Sequence, residues 1–282
     1  MCRWLAYTGS PILIEELLYG PSHSLIDQSL HSEQGAEATN GDGFGIGWYG
    51  KGATPALFKS VEPAWNDRNL RELSAHVESR LVFAHIRASS GTPVQQTNCH
   101  PFRHANWLFM HNGLIRDFAT VKRDLVLAVD PSFFPLIEGS TDSEVLFFLA
   151  LTFGLEDDPP LAVERAVGLV EAVGAQHGVE HPIQMTLAAS DGDKLWAFRY
   201  SSEGDSRTLY YSTEIGALRA LYPDNARFRD ADDETRLVVS EPLSQLAGAW
   251  NAVPESSYGI VQVGADELLP FTPRAPSARS TV

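Results

Sequence analysis

Apolar and polar positions along this chain fall into two rhythms, one of short strands and one of helices. Residues 2–8 are mostly apolar and predict a first strand, ended by Gly9-Ser10-Pro11. Residues 20–42 are rich in Ser, Gly, His and Asn and predict loop with a short helix. Residues 43–49 are apolar with interleaved glycines, which predicts a buried strand where small residues let another backbone approach. Residues 56–59 are placed to pair with it. A helix is expected over 69–79 and a buried strand over 81–87. Another strand is expected over 106–111, stopped at Asn112-Gly113.

Helical spacing then takes over. Residues 116–129 predict a helix ended by Pro131. Thr141 is placed as an N-cap with Glu144 three residues later, opening an apolar helix over 145–155. A second helix begins at about Pro160, where proline suits the first turn. Its residues Val163, Val167, Val170 and Val173 recur at helical intervals and belong to the core. Past residue 182 the pattern returns to short strands, at 183–189, 195–200, 208–212, 237–240 and 258–263. From Pro270 to Val282 the chain is polar and predicts a disordered tail. Strands, a helical pair and strands again predict stacked sheets with helices outside, a mixed α and β domain over residues 2–269.

Composition narrows the function classes. The 282 residues are 44% hydrophobic, ample for a buried core, with no apolar run long enough to span a bilayer. Glu15 and Glu16 follow closely on the N-terminus, unlike a secretory leader. With 36 acids against 21 bases the net charge is −15, which repels nucleic-acid phosphates. The acidic runs at 156–158 and 230–234 read as solvated loops rather than metal sites. Cys2 and Cys99 are too few for a disulfide framework and suit a reducing cytoplasm.

Candidate chemistry begins at Cys2. Removal of Met1 would leave one residue with both a thiol and a free amine, titrating near ~8.5 and ~7.7–8.0, so nucleophile and base would share one Cα. Alone, Cys2 reads as a small apolar residue on a first strand. His85-Ile86-Arg87-Ala88-Ser89-Ser90 ends a buried strand, and its guanidinium suits a substrate carboxylate or an internal ion pair. Asn98-Cys99-His100-Pro101 lacks zinc spacing and reads as a loop under the site. Asn112 and Gly113 can together hold an oxyanion, or form a turn. Asp142, in Ser140-Thr141-Asp142-Ser143-Glu144, can pair with an ammonium or cap its helix. The glycines from Gly41 to Gly47 fail the nucleotide-loop spacing, so no cofactor is expected.

Taken together, these segments are similar to the class II glutamine amidotransferases. The shared pattern is a second-position Cys, His-x-Arg-x-x-Ser, Asn-x-His-Pro, His-Asn-Gly and Thr-Asp-Ser-Glu, in this order. Three further segments resemble a standalone subgroup that cleaves γ-glutamyl compounds in glutathione degradation and ergothioneine synthesis. They are the opening 1–7, Pro21-Ser22-His23-Ser24 and the run from Asn40 to Gly47. The chain departs from many class II members at Ala88, Ser89 and Ser90, where those carry a Trp and a Thr-His pair.

The resemblance implies an α+β fold of the N-terminal nucleophile hydrolase type, a four-layer αββα sandwich. It implies Cys2 as nucleophile, Asn112 and Gly113 as the oxyanion hole, Arg87 on a glutamyl carboxylate and Asp142 on its ammonium. Ser90 and His111 would line the pocket. The implied activity is hydrolysis of a γ-glutamyl amide through a thioester, with no metal and with a small-molecule substrate. The chain would act alone or with a separate acceptor or peptidase protein. A catalytically silent scaffold and a cysteine amidohydrolase of other amides are the competing readings.

Overall fold

The computed structural model describes residues 2–30, 39–89, 91–213, 216, 219, 234–246, 248–262 and 266–275. Ser90, residues 230–233 of the acidic run and residues 276–282 lie outside this set. Thirteen strands among the described residues form two antiparallel sheets. The first runs β11(Trp250–Ala252), β9(Tyr210–Ser212), β10(Arg236–Val239), β1(Arg3–Leu13), β4(Glu78–Ile86), β2(Phe44–Trp48), β3(Ala56–Ser60). The second runs β13(Glu267–Pro270), β12(Ser257–Val261), β8(Leu195–Ser201), β7(Ile183–Ser190), β6(Trp107–Ile115), β5(Phe102–His104).

Strand parity builds the layers, because successive side chains point to opposite faces. On β1, Leu5 and Tyr7 pack under the helices α1(Ile14–Leu18), α2(Leu25–Leu30) and α3(Arg68–His76). Trp4 and Ala6 face the other way, into a core shared with Phe83, Leu108, Met110 and Ala188. On β6, Leu108 and Met110 fill this middle core. Trp107 and Phe109 face a third core under α4(Phe118–Ala128), α5(Asp142–Thr152) and α6(Pro159–Gln176). Three apolar cores thus separate four layers, αββα, as the resemblance implies. Trp4 Nε1 crosses the middle layer to donate to Thr186 Oγ1 at 3.1 Å.

Several elements differ from expectation. Strand β1 passes Gly9 and continues to Leu13, with an irregular register between Thr8 and Ile12. Residues 14–18 close a helical turn capped by Glu16, whose Oε2 accepts from Leu13 N at 3.1 Å. Strand β6 does not stop at Asn112-Gly113 but runs to Ile115. Its pairing with β7 continues through Asn112–Thr186 and Gly113–Met185, so those residues are held in a ladder and not a turn. Thr141 caps α5 as expected, but Glu144 reaches back to the N–H groups of Glu138 and Gly139. The tail expected from Pro270 is ordered through residue 275. Phe271 is buried in the third core, and Arg274 pairs with Glu164 at 2.7 Å.

The glycines of β2 are explained by what lies against them. A Cβ on Gly45 would stand 2.1 Å from His100 O, and one on Gly47 2.9 Å from side-chain atoms of Leu108 and Pro101. The loop before β5 therefore presses directly on β2. Gly45→Ala forces backbone apart, a clash of the kind that costs about 1–3 kcal/mol or more. A fall in Tm of at least roughly 3 °C is expected by thermal denaturation. Gly50→Ala, with nothing within 4 Å, serves as the control and is expected to stay within about 2 °C.

Candidate active site

The candidate residues gather at one end of the middle layer. Cys2 precedes β1 and has the parity of Trp4, so its side chain belongs to the inter-sheet face. Residue 87 follows β4 and has the parity of Leu81 and Phe83, and Asn112 on β6 has that of Leu108 and Met110. The register sets Arg3 opposite Ile86, which brings residues 87 and 88 beside Cys2. Ala88 brackets the sulfur: its N–H donates to Cys2 Sγ at 3.4 Å, and the thiol reaches its carbonyl at 3.5 Å. From the other sheet, Asn112 Nδ2 donates to the Cys2 carbonyl at 2.9 Å. Its amide carries a second N–H for another acceptor.

Arg87 is 4% exposed and bonds only neutral oxygens. Its guanidinium donates to Asp42 O at 3.3 Å, Ser89 Oγ at 3.1 Å and Thr92 Oγ1 at 2.5 Å. No carboxylate among the described residues pairs with it. The glycine run is the brace for this loop. Asp42 N donates to Arg87 O at 3.2 Å, Arg87 N to Gly43 O at 2.9 Å, and Ser89 N to Asp42 Oδ2 at 2.7 Å. Gly43 needs its positive φ of 102°, and a Cβ there would meet Ser60 O at 2.7 Å. The run expected not to bind nucleotide thus orients a cation.

Asp142 opens α5 and faces the end of β6. Its Oδ2 accepts from Ile115 N at 2.7 Å and its Oδ1 from Ser143 N at 2.8 Å. Carboxylate lone pairs remain for a further donor. His111 and Gly113 have the opposite parity to Asn112 and turn toward the helices. His111 Nδ1 lies 2.8 Å from Ser143 Oγ, which is 3.3 Å from Asp142 Oδ1. The imidazole therefore meets the site through Ser143 and Asp142 rather than facing Cys2. Burial pushes its pKa down, against the opposing pull of Asp142. A Cβ on Gly113 would lie 1.9 Å from Gln184 O, so only glycine fits.

The loop at 95–101 is structural. Asn98 Oδ1 accepts from Ser140 N at 2.8 Å and its Nδ2 donates to Pro93 O at 3.0 Å, joining this loop to the start of α5. Cys99 is buried, and burial raises its pKa. His100 stacks on His85 at 4.2 Å between ring centroids. Burial holds both imidazoles neutral, His85 down to about 3. Among the described residues no cluster of His, Cys, Asp and Glu is arranged for a metal ion.

Some neighbours of Cys2 carried no signal in the sequence. Arg3 Nη1 donates to Cys2 O at 3.2 Å, and its Nε lies 2.5 Å from Glu241 Oε2. Glu241 Oε1 lies 3.2 Å from His23 Nε2, which gives the 21–24 segment its place beside the site. Arg207 also interacts with Cys2. Glu241 and Arg207 lie more than 200 residues from Cys2 in a polar stretch, and nothing in their local pattern marks them.

Comparison with known proteins gives the family. A model described as glutamine amidotransferases class-II matches residues 20–280. The probable glutamine amidotransferase DUG3 of Saccharomyces cerevisiae is 35% identical over 289 residues, covering 91% of this chain and 80% of its own. The gamma-glutamyl-hercynylcysteine sulfoxide hydrolase of Mycolicibacterium smegmatis is 28% identical over 240 residues, covering 83% of this chain and 93% of its own. A solved glutamine aminotransferase class-II domain protein from Silicibacter pomeroyi superposes with a TM-score of 0.74 at 32% identity, over 97% of this chain and 100% of that one. Glutamine phosphoribosylpyrophosphate amidotransferase from B. subtilis shares the fold, with a TM-score of 0.63 at 15% identity, over 97% of this chain and 50% of its own. The chain belongs to the class II glutamine amidotransferases.

Proposed function

We propose that this chain hydrolyses the γ-glutamyl amide bond of glutamine or a γ-glutamyl compound, with Cys2 as the nucleophile after loss of Met1. The observation that carries the reading is the meeting of three remote segments: Cys2 lies between the backbone of Ala88 and the amide of Asn112, beside the unneutralised guanidinium of Arg87. A buried cation without a counter-ion suits an anionic ligand group. In this reading Arg87 takes the α-carboxylate of the glutamyl unit by its planar fork. Asp142 takes the ammonium.

The freed α-amine of Cys2 accepts the thiol proton, directly or through one water. The sulfur then attacks the γ-carbonyl carbon, and the oxyanion is held by Asn112 Nδ2 and Gly113 N. One such donor is worth about 3–4 kcal/mol of barrier. The C–N bond breaks as the ammonium returns its proton to the departing amine, leaving a γ-glutamyl thioester. Water, deprotonated by the same amine, attacks the thioester carbon. Glutamate leaves and the thiol is restored. His111 and Ser90 complete the pocket, His111 through Ser143.

Residues 2–275 act as one class II domain, as a hydrolase alone or as a glutaminase-type subunit beside a separate acceptor or peptidase protein. The names of two relatives, a probable glutamine amidotransferase and a γ-glutamyl sulfoxide hydrolase, support both forms. A reducing cytoplasm suits a chain whose Cys2 and Cys99 are both free thiols. No helix among the described residues is long and apolar enough to cross a membrane.

Four measurements test this reading. Purified active protein is expected to lack one methionine by intact mass, and full retention of Met1 would rule out the α-amine as base. Offered glutamine and a panel of γ-glutamyl amides, the protein is expected to release free glutamate. Cys2→Ala is expected to cut that release by at least about 10³-fold with an unchanged melting profile, whereas undiminished turnover excludes Cys2. Arg87→Lys keeps the charge but loses the fork. It is expected to raise KM about tenfold or more with a smaller change in kcat, and an unchanged KM places the carboxylate elsewhere.

A further inference from the structure

Arg207 has no part in the mechanism above, yet its chain segment is fixed beside Cys2. It lies between β8 and β9 on a connection tied to both sheets. Toward the first sheet, Thr208 Oγ1 donates to Ser240 O at 2.9 Å, and Ser240 N donates to Trp4 O at 3.0 Å, two residues from Cys2. Toward the second, Arg199 Nε donates to Ser206 Oγ at 2.9 Å and Gln184 Nε2 to Asp205 O at 2.8 Å. Arg199 is paired with Thr186, and Thr186 with Asn112. The segment thus bridges the strand that carries the cysteine and the ladder that carries the asparagine.

Strand order places this bridge on the far side of Cys2 from Arg87. Strand β1 lies between β4, which leads to Arg87, and β10, which leads to Ser240. The guanidinium of Arg207 makes no hydrogen bond or ion pair among the described residues, and its Nε is buried. The acids of the neighbouring segments form no ion pair with it. Glu241 holds Arg3 and His23, and Glu255 holds Ser206 and Arg199. Burial lowers the Arg207 pKa, the Cys2 side chain opposes that shift and Arg3 adds to it. The charge of Arg207 is also felt at His111. A cation kept partly buried and unpaired beside a nucleophile is costly unless a ligand supplies the anion.

The glutamyl half of the substrate has one carboxylate, and Arg87 accounts for it. A second guanidinium across the sulfur calls for a second anion, on the other side of the scissile bond. We propose that Arg207 is a specificity-determining residue that binds a carboxylate carried by the departing amine. The favoured substrates are then γ-glutamyl amino acids and peptides, over γ-glutamyl amides whose amine has no acid group. This assignment rests on the γ-glutamyl reading of the same site.

The test compares γ-glutamylglycine with γ-glutamylethylamide, which differ by the carboxylate of the leaving amine. The wild-type protein is expected to favour γ-glutamylglycine in kcat/KM by about tenfold or more, as a charge-assisted hydrogen bond allows. In Arg207→Gln that ratio is expected to fall by about the same factor, and Arg207→Lys is expected to recover part of it. An equal loss on both substrates would assign Arg207 to the cysteine or to the fold and overturn the proposal. An unchanged ratio in the Gln variant would overturn it as well. Release of glutamate from glutamine alone would overturn this assignment, and release from neither substrate nor glutamine by wild-type protein would overturn the γ-glutamyl reading with it.

Discussion

The site depends on the close stacking of two sheets whose facing side chains interlock at one end. Among the hydrogen bonds that cross that layer, two lie near Cys2, from Trp4 to Thr186 and from Asn112 to the Cys2 carbonyl. Both donors are anchored in buried strands, so the cysteine is held by groups that move little. A residue so near the N-terminus would otherwise fray. The apolar middle core, with Phe83, Leu108, Met110 and Ala188, supplies the burial that keeps the sheets at this spacing. Substrate recognition is then a matter of what projects from the ends of the same strands.

Small residues set how near the supporting loops come. Gly43, Gly45 and Gly47 occupy one short stretch, and each meets a different neighbour: Ser60, His100 and the Leu108–Pro101 contact. Their closeness lets the loop at 95–101 lie flat on β2 and lets Asp42 brace the backbone of residues 87–89. A glycine run of this kind resembles a phosphate loop in composition alone. Its part in this fold is steric, letting the supporting loops close against residues 87–89.

Charge is distributed against the overall balance. The chain carries a net charge of −15, yet Arg3, Arg87 and Arg207 converge around Cys2. Of these, Arg3 is neutralised by Glu241, while Arg87 has only neutral oxygens as partners among the described residues. Exposed acids farther than about 10 Å are screened by salt, and buried cations within the site are not. A cationic site on an acidic surface therefore favours anionic groups at short range while the rest of the surface repels polyanions.

Much of this was legible residue by residue. The strands at 43–49, 81–87, 183–189 and 195–200 and the helices at 116–129 and 145–155 follow from local periodicity. The candidate roles of Cys2, Arg87, Asn112 and Asp142 rest on residue type and on a resemblance in their order. Asn112-Gly113 was misread as a stop because a turn and a paired strand share that dipeptide, and only the partner strand β7 distinguishes them. Phe271 was lost in a polar tail because its apolar partners, Phe198 and Tyr200, lie about seventy residues away. The sequence by itself determined which groups are available and which face of its strand each one takes, since backbone parity is a local property. Only the tertiary structure decided that residues 2, 87, 112, 142 and 207 share one end of the sandwich. Their meeting is set by sheet order and by stacking between strands far apart in the chain, and no local pattern encodes either.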